Sequence, residues 1–116
     1  MTDLGIPQFR DLMFPTLEAL RQLGGSARID EISQEVIDAL GFTEEQQALR
    51  RKPDHHMSLI DYRLAWARNY LKNIGALENS SRGVWAITEH GRTLDRDQVL
   101  EEVKAWKAVT RTPTSR

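Results

Sequence analysis

The chain has 116 residues, 40% of them hydrophobic, with 16 Lys and Arg against 17 Asp and Glu, three His and no Cys. That length makes one domain with a modest core; the missing cysteines exclude disulfides and thiolate metal sites, and no apolar run approaches the roughly 20 residues of a membrane helix. The opening MTDLGIPQF lacks the charged and apolar regions of a secretion signal, so a cytoplasmic protein without a membrane partner is expected. The net charge of −1 hides an asymmetry. From Arg50 to Gly83 there are seven Lys/Arg against three Asp/Glu, a net of +4, which leaves −5 for the remainder. One electropositive zone on an otherwise acidic chain attracts a polyanion, although charge alone is equally met by an ordinary solvated surface.

Phe9, Leu12, Met13, Leu17, Leu20 and Leu23 recur at helical spacing and end at Gly24-Gly25, with a kink or break expected after Met13 or Phe14 because Pro15 follows. Ser26 to Ile29 is a short extended segment. Ile32, Val36, Ile37 and Leu40 mark a second helix, with Asp30 as its expected cap and Gly41 as its stop. Thr43 and Gln46 form a capping box for a short helix before a loop at Pro53. The next helix, from about Ser58 to Asn73, is the clearest element. Ile60, Leu64, Ala67, Leu71 and Ile74 fall in one stripe, while Ser58, Asp61, Tyr62, Ala65, Arg68, Asn69 and Lys72 fall opposite. Gly75 ends it. ALE and VWAIT then read as two strands around NSSRG, Thr88 with Glu89 and Gly91 as a closing segment, and Val99, Leu100, Val103 and Trp106 as a last helix before a polar tail.

Helix, short strand, helix, helix, hairpin is the order of a winged helix-turn-helix: mainly α with a small β-hairpin, here a domain over 1–95 and a C-terminal helix and tail over 96–116 that could lead into a linker. In that fold a helix enters the major groove and the hairpin, the wing, reaches the neighbouring backbone or minor groove. Such domains also serve as protein-protein adaptors.

The stretch DYRLAWARNYLKNIGALENSSRGVWAITEHGRTL resembles the N-terminal domain of Mrr-type restriction endonucleases. The matching pieces are Asp61 and Arg63, Trp66-Ala67, Leu71-Lys72, Gly75 and Leu77, Arg82-Gly83 and Trp85, then Thr88 and Gly91, with MFPTLEALRQLGG and IDEISQEVIDALG upstream. The resemblance covers roughly residues 6 to 95 and implies a DNA-binding module, attached in the family to a nuclease domain that cuts modified, typically methylated, DNA. That domain is not recognisable here. Pro53-Asp54 and Glu102-Val103-Lys104 match its motif only literally, lying in a loop and a helix separated by the whole recognition helix and wing. A metal-dependent nuclease needs such carboxylates on one cation, so no enzyme is expected from this chain.

On this reading Tyr62, Ala65 and Asn69 are the candidates for base edges: an amide suits adenine, and a small apolar group suits a 5-methyl. Arg68 and Lys72 are assigned to phosphates. Arg63 serves either structure or the DNA backbone, and Ser58 marks a helix N-terminus whose amides could take a phosphate. Arg82 suits a phosphate or a narrow minor groove. Trp66 and Trp85 read as core or half-core packing. His55-His56 suggests a metal, but adjacent histidines do not share a helix face, so no metal and no cofactor is expected. The partner expected is duplex DNA, with a fused or separate nuclease domain. Two alternatives remain: a transcriptional regulator forming a homodimer through the C-terminal helix around Trp106, and an adaptor whose Tyr62–Trp66 side is an exposed apolar patch.

Overall fold

The computed structural model describes residues 4–50, 52 and 56–111. Six helices and three strands follow in the order α1 (Phe9–Gln22), β1 (Ser26–Arg28), α2 (Ile29–Leu40), α3 (Glu44–Ala48), α4 (Leu59–Asn73), β2 (Leu77–Ser81), β3 (Val84–Ile87), α5 (Glu89–Thr93) and α6 (Arg96–Arg111). The fold is mainly helical with a small three-stranded antiparallel sheet, compatible with a winged helix. The expected loop at Pro53, together with Arg51, Asp54 and His55, lies outside the described residues.

Local chemistry sets most boundaries. Gly75 (φ 80°) ends α4: its N–H donates to Lys72 O at 3.0 Å and that of Ala76 to Leu71 O at 2.8 Å, the paired closure that a left-handed glycine permits. Thr43 and Gln46 exchange the two expected capping bonds, at 2.8 and 3.0 Å. Two expectations are corrected. Helix α1 runs unbroken through Pro15, although that residue supplies no N–H for the carbonyl of Asp11. The buried flanking residues Leu12, Met13, Thr16 and Leu17 hold it in place. Asp30 does not cap α2 either. The helix begins two residues earlier, with Arg28 at the cap position and its N–H donating to Glu31 Oε1 at 2.8 Å, while Asp30 turns back to the Arg28 guanidinium.

Strand β3 is central, pairing with β1 on one side and β2 on the other. Strand β2 reaches further into the expected turn, to Ser81, while β3 stops at Ile87 because Thr88 caps α5. Ser81 already pairs with Val84, so the turn is Arg82-Gly83 alone, and the register slips between Asn79 and Ser81 to bulge Ser80. The core collects Leu12, Leu17 and Leu20 of α1, Ile32 and Val36 of α2, Ile60, Leu64, Ala67 and Leu71 of α4, and Val99 and Val103 of α6. Helix α6 packs on both α1 and α4. None of the described helices is long and apolar enough to cross a membrane.

Candidate nucleic-acid interface

Helix α4 is fixed first at its N-terminus. Ser58 Oγ accepts the Asp61 N–H at 3.0 Å, and the Leu59 N–H donates to Leu49 O at 2.8 Å. Two of the first three helix amides are therefore taken within the chain, and Asp61 adds negative charge to the first turn. Ser58 is a cap, and the open anion site expected beside it is not formed.

Along the outer face, Asn69 and Trp66 are exposed and Tyr62 and Ala65 are half-buried. With His56 and Met57 these four line a shallow groove of about 390 Å³. Trp66, expected to be core or half-core, is 43% exposed, with its ring 6.2 Å from that of Tyr70. The ring of Tyr70 instead goes inward, stacking on Phe9 at 5.0 Å and meeting Trp106 edge-on at 5.5 Å. Trp85 is half-buried against the core, as expected.

The cations of α4 divide into three kinds. Lys72 is exposed. Arg63 takes the structural of its two roles: Nη1 donates to Ile6 O at 2.7 Å and Pro7 O at 3.1 Å, tying the N-terminal segment to the helix. Arg68, assigned from the sequence to a phosphate on the open face, is 7% exposed. Its guanidinium carbon lies 5.7 Å from the centre of the Trp85 ring. Burial pushes its pKa down, and the charge of Asp61 pulls it back up. The helical wheel placed Arg68 by its own helix alone; Trp85 of the hairpin packs on that flank.

Arg82 is exposed at the wing tip beside Gly83 (φ 72°). The turn is braced from two sides. Asn79 Nδ2 donates to Ser81 O at 2.9 Å and Val84 O at 2.7 Å, and the Ile29 N–H donates to Gly83 O at 3.1 Å. The tip thus abuts the start of α2, and a groove of about 630 Å³ opens between α2, α4 and the wing, with Arg82, Arg68 and Asp61 among its lining residues. On its rim Arg28 holds Asp30 at 2.8 Å, which keeps that carboxyl below the usual carboxylate range and raises the arginine.

Sequence reading missed Arg28, Asp61 and Met57 at these grooves. For Arg28 a signal existed: an extended Ser26–Ile29 in this element order must pair with the hairpin, and Arg28 does sit opposite Val84. Elsewhere, Glu102 Oε1 lies 2.6 Å from His90 Nε2 across α5 and α6. Among the described residues no three His, Asp or Glu are grouped to hold a metal.

Residues 9–97 match the model of the Mrr N-terminal domain, and the chain belongs to that family. The match supports an association with Mrr-type restriction systems. No match was found among curated proteins or solved structures.

Proposed function

We propose that this member of the Mrr N-terminal domain family is a duplex-DNA-binding module, the targeting part of a restriction system that reads a sequence or a modified base. One observation carries the reading: Asp61 and Arg68 of α4 and Arg82 of the wing tip line one groove, and Met57 joins it to the groove along Tyr62, Ala65 and Asn69, so helix and wing lie on neighbouring parts of one surface. In winged helices these are the two elements that grip DNA. Tyr62, Ala65 and Asn69 then meet base edges, and Lys72 and Arg82 meet backbone. Exposed Arg50 and Lys52 extend the cationic surface, with Arg50 Nη1 on His56 O at 3.0 Å. In this reading the chain itself cuts no DNA, acts in the cytoplasm and works with a nuclease domain, fused or separate.

The exposed Trp66 beside Tyr62 favours a second reading, an adaptor that docks another protein. Salt separates the two. Binding of a duplex measured by fluorescence anisotropy at several salt concentrations should give a log-log slope of about −4 if four phosphates are neutralised. Absence of duplex binding at low salt would leave the adaptor. Comparing methylated with unmethylated duplexes in the same titration tests whether a modification is read. Incubation with methylated plasmid and magnesium or manganese should leave the DNA intact.

A further inference from the structure

We propose that the groove between α2, α4 and the wing receives a single nucleobase rotated out of the duplex. This deepens the DNA-binding reading and rests on it. Two buried side-chain atoms, Asp61 Oδ1 and Arg68 Nε, have no hydrogen-bond partner among the described residues, and both side chains line this groove. A buried polar atom left without a hydrogen bond is destabilising, so each calls for a partner. One is an acceptor and the other a donor, which narrows the chemistry.

A phosphate offers only acceptors: it would satisfy Arg68 and bring its charge against the Asp61 carboxylate. A metal cation would satisfy Asp61 and be repelled by Arg68. A nucleobase edge carries N–H donors beside ring and carbonyl acceptors, so it can answer both groups without net charge. The rest of the groove suits a flat ring. Ile29, Ile37 and Met57 give it apolar walls, and Trp85 backs the Arg68 guanidinium. Its volume of about 630 Å³ is ample for one base. Arg82 stands at the wing tip, so a strand gripped by both α4 and the wing crosses the opening.

The test uses duplexes carrying 2-aminopurine, whose fluorescence rises on unstacking, at each position of the bound site in turn. The whole chain should raise the signal at one position. A mismatch there should tighten binding about tenfold, because an unpaired base is easier to extrude. Asp61→Ala removes the acceptor, and Gln34→Trp fills the groove from an exposed position on α2. Both should abolish the fluorescence rise and the mismatch preference while the chain still binds the paired duplex with a steep salt dependence. Gln34→Trp should also keep the thermal melt, whereas Asp61→Ala, which takes the counter-charge from the buried Arg68, should lower it. Tight duplex binding with no rise at any position would overturn the proposal and leave the DNA-binding reading standing. A rise that survives both variants would also overturn it, by placing the base elsewhere. No binding of any duplex at low salt would remove both.

Discussion

Asn69 and Arg82 are both exposed, yet their surroundings give them different work. Asn69 projects from a rigid helix beside Ala65 and Tyr62, where a short amide can pair with a base edge. Asn69→Ala should therefore lose about 1–3 kcal/mol on a preferred site and much less on random DNA. Arg82 sits on a turn, suited to phosphate or groove shape. Arg82→Ala should weaken both classes of DNA evenly and reduce the salt slope by about one. Arg63 supplies the contrast. Its guanidinium serves the Ile6 and Pro7 carbonyls, so Arg63→Ala should lower stability by about 1.5–3 kcal/mol and leave the salt slope unchanged. Melting curves and salt titrations on the three variants separate reading, holding and structure. A reduced slope in the Arg63 variant would return that residue to the DNA backbone.

At the scale of elements, the junction of α4, the wing and α5 explains why three of the motif residues, Gly75, Thr88 and Gly91, stand where they do. Thr88 Oγ1 donates to Gly75 O at 2.6 Å and accepts the Gly91 N–H at 3.0 Å, while the Thr88 N–H donates to Ala76 O at 3.0 Å. A side chain at Gly91 would come within 2.2 Å of that same Ala76 carbonyl oxygen. Gly91→Ala should accordingly destabilise by about 1–3 kcal/mol, visible as a lower melting temperature. The wing has its own brace. Asn79→Ala removes two bonds across the bulge and should speed amide hydrogen exchange at Ser81 and Val84 while the melt changes little. Unchanged exchange there would mean that the turn holds itself.

Over the whole molecule, one core joins every long helix. Leu64 has no exposed surface, and Leu64→Ala should lower stability by about 2–5 kcal/mol through the cavity it leaves. Helix α6 contributes Val99 and Val103 to the same core, and Trp106 packs on Tyr70. A chain stopped at Asp95 would expose the surfaces that these side chains cover. Since a buried valine contributes about 1.5–3 kcal/mol, that chain should melt well below the full one. An equal melting temperature would make α6 an appendage.

Much of this was legible in the sequence because it is decided within a few residues. The α4 stripe of Ile60, Leu64, Ala67 and Leu71, the Ser58 and Thr43 caps, the stops at Gly41 and Gly75 and the order of elements all follow from side-chain spacing and local backbone hydrogen bonding. Tertiary structure decided what covers the flanks of those elements. Arg68 lies two turns from Asp61 on the same side of α4, and nothing in its own helix says that Arg68 is buried with its guanidinium against Trp85 of the hairpin. Trp66 reads as core or half-core because it flanks the apolar stripe, but Tyr70 takes the place between Phe9 and Trp106. Pro15 reads as a kink or a break because propensity counts its missing N–H and not the packing of its buried neighbours, and the helix is not broken there. The periodicity of a helix records which face is apolar; only the assembled neighbours determine how far burial spreads beyond it.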